Sequence, residues 1–179
     1  MKNDTAFLID EVLNLWEHQS TWNPNMPLRG LFYFSDEYRK YIENRHLNIY
    51  GRRRVMLPLP QYVVFYNGPE KRPERSVLSL SRSFYHKNPE HTACIELKAV
   101  MININRGHNE ALMKQCKKLR DYAEFTGRVR DELKEASSLE EAVEAAVNYC
   151  IRNDILAEFL SSHRAEVCEV ILTEYDEEL

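Results

Sequence analysis

Apolar and polar residues alternate in "DTAFLID" (4–10) and again in "VLNLWEHQS" (12–20), and both runs read as short strands. Asp10 and Glu11 lie between them as a tight turn, so the pair forms an antiparallel hairpin. Alternation sorts the second strand into two faces. Leu13, Leu15, Glu17 and Gln19 share one, and Asn14, Trp16 and His18 share the other. "TWNPN" is a loop, with Pro24 between two Asn residues. Residues 26–45 read as a helix with Pro27 tolerated in its first turn. Leu28, Leu31, Phe32, Tyr38 and Ile42 follow one side of it, and Gly30 weakens it slightly. "HLNIYGRRR" is a basic linker. "PQYVVFYNG" (60–68) has a continuous apolar centre, which suits a central strand buried on both faces. "SVLSLS" (76–81) is a weaker strand signal, and "ACIELKAVMININ" (93–105) a long one.

After Gly107 the period changes from two to about 3.6. Asn109 is placed to cap a helix carrying Leu112, Met113, Cys116 and Leu119, which continues towards Leu133 or breaks near Gly127. Ser138 and Glu141 form a capping box. Behind it Leu139, Ala142, Val143, Ala146, Val147, Cys150 and Ile151 make the cleanest helical stripe in the chain. Asp154 can cap a last helix with Ile155, Phe159, Leu160, Val167, Val170 and Ile171. The pattern predicts an α/β core over residues 1–108 and a helical region over 109–179 packed on it.

Composition narrows the class. The chain has 179 residues, enough for one domain with an appendage, and its 44% hydrophobic and 29% charged residues are ordinary for a globular protein. A net charge of −4 hides an asymmetry. Arg52, Arg53, Arg54, Lys71, Arg72, Arg75 and Arg82 crowd the middle, while Glu166, Glu169, Glu174, Asp176, Glu177 and Glu178 crowd the end. A basic zone on a near-neutral chain can attract a polyanion, though such a run is also an ordinary solvated surface. Cys94, Cys116, Cys150 and Cys168 form no CxxC pair, and the last three fall at apolar positions, which suits buried free thiols in a cytoplasmic protein. No apolar run approaches a membrane span, so no membrane partner is expected. No P-loop, GxGxxG or GxSxG occurs, so no nucleotide cofactor and no α/β-hydrolase chemistry is expected.

The strand 12–20 raises the chemical question. Unpaired charge is costly away from water, yet a core strand ends in Glu17-His18-Gln19. Residues two apart on a strand point the same way, so Glu17 and Gln19 converge, and Asp4 on the neighbouring strand can reach the same point. Two carboxylates and the carbonyl of His18 make an all-oxygen donor set suited to Mg²⁺ or Mn²⁺. The same residues also suit a hydrogen-bonded polar strand end. "ELK" at Glu96–Lys98, after "PE" at 89–90, is a rival motif, but an acid-x-Lys of this kind arises by chance in a chain this rich in acids. His18, His108 and His163 fit no zinc spacing.

"WEHQS" followed by "NPNMPLRGLFYF" resembles the PD-(D/E)XK nuclease superfamily, and within it the Rpn-type recombination-promoting nucleases and related transposase-type nucleases of bacteria. "YVVFYNG", "INRGHN", "AVEAAVNYCI", "ILAEFL", "RAEV" and "EYDEE" extend the resemblance along nearly the whole chain. It implies a restriction-endonuclease-like mixed sheet flanked by helices, with a C-terminal helical extension. It also implies Mg²⁺-dependent (or Mn²⁺-dependent) hydrolysis of DNA phosphodiester bonds. Asp4 and Glu17 would be the metal-binding acids, Gln19 would occupy the position of the superfamily's lysine, and Arg29 would face the site or the DNA backbone. Arg52, Arg53 and Arg54 gain weight as DNA contacts. Only three residues precede Asp4, so the resemblance implies a chain shortened before its usual first helix. A homodimer would cover the sheet face such a helix normally hides. The alternative is a catalytically weakened DNA-binding or protein-binding remnant of that family.

Overall fold

A computed structural model of the chain describes residues 4–9, 11–85 and 92–176, with the backbone alone at residue 4 and residues 173–176. It is an α/β structure with a five-stranded mixed sheet and flanking helices. The strands are β1 (Asp4–Ile9), β2 (Val12–Gln19), β3 (Leu59–Tyr66), β4 (Arg75–Ser79) and β5 (Lys98–Asn103), in the order β1-β2-β3-β5-β4. Two compact units emerge. The first comprises residues 1–65 and 75–102, the second residues 66–74 and 103–179.

In the first unit, β1 and β2 pair antiparallel from Asp4↔Glu17 to Ile9↔Val12. Their two-residue connection includes Glu11 at φ 64°, and short hairpin turns need such positive φ values. Asp10, the other turn residue expected from the sequence, lies outside the described residues. Leu13, Leu15 and Glu17 are buried and Trp16 is exposed, as a strand with one covered face requires. On the other face the Trp16 ring meets Phe7 and Phe65 edge-on, with centroids 4.8 and 5.6 Å apart.

Helix α1 (Met26–Asn44) starts where Asn23 Oδ1 accepts the Asn25 N–H at 2.9 Å, with Pro27 in the first turn. Its buried stripe is Met26, Pro27, Gly30 and Phe34 rather than the expected Leu28, Phe32 side; both of those residues are exposed. The difference comes from β3. Phe34 meets the Tyr62 ring edge-on at 6.2 Å, so the face bearing Gly30 is turned towards the sheet. β3 is the middle strand of the five, as its apolar centre predicted. Its burial nevertheless alternates: Tyr62, Val64 and Tyr66 are buried while Val63 and Phe65 are half-covered.

The strand expected over 93–105 is shorter. Its partner β4 ends at Ser79↔Lys98 and turns into a 3₁₀ segment (Leu80–Ser83), so residues before Lys98 have no β4 ladder to join. Glu96 is exposed there, and its Oε1 accepts the N–H groups of Ser81 at 3.2 Å and Leu97 at 3.0 Å. The "ELK" acid therefore ties down a turn.

The second unit stitches two sequence segments together. Asn103 Nδ2 donates to Arg72 O at 2.9 Å, Asn105 Nδ2 to Gly68 O at 3.0 Å, and Asn109 Nδ2 to Glu74 O at 2.7 Å. Asn109 stands at φ 47°, before α2 (Glu110–Gln115), with its side chain spent on those carbonyls rather than on a cap. Cys116, in extended conformation, separates α2 from α3 (Lys117–Glu132), so the expected break near Gly127 lies eleven positions earlier. Helix α3 runs unbroken through Gly127. Arg106 explains that glycine, because a Cβ there would lie 2.5 Å from the Arg106 Nε. Arg106 also bonds Asp131 Oδ2 at 2.6 Å and Glu124 Oε2 at 3.0 Å.

Helix α4 (Leu139–Arg152) begins at Ser138, whose Oγ accepts the Glu141 N–H at 3.2 Å, as the capping motif predicted. The single last helix expected from Asp154 is two: α5 (Ala157–Ser162) and α6 (Arg164–Asp176). Asp154 and Leu156 both take left-handed φ values, and Leu156, not Asp154, is the capping position. Phe125, Val129, Val143, Ala146, Val147, Cys150, Leu160 and Ile171 form the unit's core. Each such burial stabilises by about 1.5–3 kcal/mol for the larger aliphatic side chains. The four cysteines are free, but only Cys150 is buried. Cys168 is half-covered and Cys94 and Cys116 are exposed, the last because it sits at the helix junction. Among the described residues no helix is long and apolar enough to cross a membrane.

Candidate functional site

The hairpin register brings Asp4 and Glu17 together as direct partners across β1 and β2. Directly opposed residues in an antiparallel pair have Cβ atoms about 5 Å apart. The Asp4 side chain itself lies outside the described atoms. Gln19, two residues beyond Glu17 on the same face, donates from Nε2 to Glu17 Oε1 at 2.9 Å. His18 alternates to the other face and is half-buried there, so only its backbone can join Glu17.

Glu17 is the most enclosed charge among the described residues, at 1% exposure. Burial on this scale is tolerated only with partners, and among the described residues Arg29, Gln19 and Tyr62 donate to it. The Arg29 guanidinium forms an ion pair with Oε1, beside Gln19. The Tyr62 hydroxyl donates to Oε2. Arg29 in turn donates to Tyr33 Oη at 3.2 Å and lies 5.9 Å from the centre of that ring. Burial works against the Arg29 charge. The Tyr33 hydrogen bond and the Glu17 carboxylate more than offset it, so its pKa lies above that of an ordinary arginine. Burial and the bond to Glu17 push the Tyr62 phenol well above its usual value.

Local structure explains how Tyr62 reaches the acid. Its ring lies against α1 one residue beyond Arg29, where a Cβ on Gly30 would stand 2.6 Å from Tyr62 Cε1. Glycine at this position opens the space that the ring fills. Tyr62 and Tyr33 were not singled out from the sequence. The available signals were a hydroxyl-bearing residue opening a central strand and a glycine inside a helix that has no turn to make.

Arg52, Arg53 and Arg54 are not part of this cluster. They are exposed on a loop that leaves the far end of α1, about 22 Å along the helix axis from Arg29 at 1.5 Å per residue. The loop's return is pinned by Tyr38 Oη donating to Pro58 O at 2.7 Å and by Leu59 N–H donating to Glu11 O at 2.9 Å.

Among the described residues no three His, Cys, Asp or Glu side chains gather as a metal-binding group. The Glu17 carboxylate has a second acid, Asp4, as its strand partner, and its own oxygens accept from Arg29, Gln19 Nε2 and Tyr62. Paired carboxylates are hard oxygen donors, of the kind that suits Mg²⁺ or Mn²⁺ rather than soft metals. Compared with known proteins, the chain matches no family model, no curated protein and no solved structure.

Proposed function

We propose that the chain is a Mg²⁺- or Mn²⁺-dependent DNA endonuclease of the Rpn recombination-promoting type, with Asp4, Glu17 and Gln19 at its centre. The observation that carries this reading is the buried Glu17 carboxylate, with Gln19 hydrogen-bonded to it and Asp4 as its strand partner. A bound divalent cation would polarise a phosphoryl oxygen and lower the pKa of its water. Glu17, Asp4 and the His18 carbonyl would hold the ion. Tyr62 fixes the Glu17 carboxylate in one orientation. Gln19 orients a water through its amide and carries no charge, so it stabilises developing negative charge less than a lysine does. Arg29 offers a phosphate the remainder of a guanidinium that Glu17 and Tyr33 hold in place.

The test is nicking of supercoiled plasmid with Mg²⁺ or Mn²⁺, comparing the chain with Glu17→Gln, alongside calorimetric titration with Mn²⁺. Cleavage should fall at least about 100-fold in the variant. A folded chain that neither cuts nor binds a divalent ion sinks the enzyme reading.

One observation favours the second reading, a catalytically weakened binding remnant. Both Glu17 oxygens already accept from Arg29, Gln19 and Tyr62, so the acid is satisfied as an internal ion pair. Salt-dependent DNA binding that survives Glu17→Gln, without cleavage by either protein, identifies that case.

A further inference from the structure

The loop between α1 and β3 has a feature that phosphate contacts alone do not use. His46, at φ 52°, ends α1 by donating its N–H to Glu43 O at 3.0 Å. Asn48 then builds a turn. Its Oδ1 accepts the Tyr50 N–H at 3.0 Å and its carbonyl accepts the Gly51 N–H at 3.3 Å. Tyr50 stands at the corner of that turn, 94% exposed, immediately before Gly51 and three exposed arginines. No acid occurs in the chain between Glu43 and Glu70. Among the described residues none of Arg52, Arg53 and Arg54 is ion-paired. The loop is long for a segment without helix or strand, and such loops in compact units are commonly functional. The fold therefore presents a ring in water on an ordered turn, next to three like charges with no protein counter-ion.

Resting on the nuclease reading, we infer that residues 48–54 grip an unpaired stretch of DNA, with Tyr50 stacking on a base and Arg52, Arg53 and Arg54 holding the phosphates on either side. A duplex hides its base faces, so a solvent-facing tyrosine gains nothing there. A single strand offers every base as a stacking surface, and the guanidinium fork matches its phosphates. Anionic membrane is the weaker match, because peripheral anchors of this kind are amphipathic helices and this segment is irregular. The loop's root lies about 20 Å from Glu17 along β2, counting from Glu11, in agreement with the distance along α1.

The experiment measures fluorescence anisotropy of a labelled oligothymidylate of about 20 nucleotides in EDTA, beside a duplex of the same length. Phosphatidylserine vesicles serve as a third arm. Tyr50→Ala should weaken single-strand binding roughly 5- to 100-fold, Tyr50→Phe should restore it, and the duplex should be unaffected. Replacing the three arginines by glutamine should lower the slope of log K against log salt by about 2. Unchanged single-strand affinity in Tyr50→Ala overturns the inference. So does an equal loss on the duplex, or Tyr50-dependent binding to vesicles in place of DNA. Nicking by the same proteins separates the two ideas. A chain that cuts but ignores Tyr50→Ala loses only this inference. One that binds through Tyr50 but does not cut loses only the nuclease reading.

Discussion

Replacing Arg29 by leucine removes a cation paired with a carboxylate whose side chain is fully enclosed. Breaking a fully buried ion pair costs about 3–5 kcal/mol, because the remaining charge is stranded. Pairs exposed on both sides contribute about 0.2–1 kcal/mol. Here the Glu17 side chain is 0% exposed and that of Arg29 is 35% exposed, and Gln19 and Tyr62 still donate after the change. Arg29→Leu should therefore cost about 2–3 kcal/mol, between those limits. At this chain length that lowers the midpoint of thermal unfolding by roughly 5–10 °C. Tryptophan fluorescence is a suitable probe, since both tryptophans, Trp16 and Trp22, belong to the unit that holds the pair. Glu17→Gln and the double variant complete a cycle. With the acid neutralised, the second substitution should cost about 1–2 kcal/mol less than it does alone. A cost below about 0.5 kcal/mol for Arg29→Leu, or a coupling that small, would refute the argument that this ion pair lets Glu17 be buried.

Two further outcomes follow from the same cluster. Gly30→Ala gains up to about 1 kcal/mol of helix propensity but forces its Cβ into the Tyr62 ring, whose overpacking costs about 1–3 kcal/mol. Urea unfolding should show a net loss when Gly30→Ala is made in the unmodified chain and none when the same change is made in a Tyr62→Leu background. Stability should also fall as the solution becomes alkaline. The buried Tyr62 phenol keeps its proton in the folded chain at pH values where the unfolded chain, with an ordinary tyrosine near 10, gives it up. Its contribution is complete below about pH 10 and is lost above it, so Tyr62→Phe should flatten the decline in urea midpoint there.

Much of this site was legible because it is local. A two-residue turn and strict alternation are enough to set Asp4 opposite Glu17 and to put Gln19 on the same side. What alternation could not reveal was which strand lies next to β2, and so Tyr62 stayed invisible although it bonds the key acid. Helix α1 had the right extent and the wrong face for the same reason: its own spacing favoured Leu28 and Phe32, and contact with β3 decided otherwise. The breaks at Cys116 and His163 had no Pro or Gly to announce them. At both the backbone leaves helical geometry, with φ −126° at Cys116 and −124° at His163, on residue types that helices ordinarily tolerate. At Ser138 a local side-chain bond decides the helix start, and there the motif was sufficient.

The second unit draws residues 66–74 from upstream of a long excursion through β4 and β5, then resumes at Asn103. Its asparagine bonds to Arg72, Gly68 and Glu74 join pieces that no single cut can excise together. Dividing the gene at the helical boundary near residue 108 would strand those carbonyls on one fragment and Asn109 on the other. Split-protein complementation across that point should thus require both halves to meet before the helical part can close its own edge.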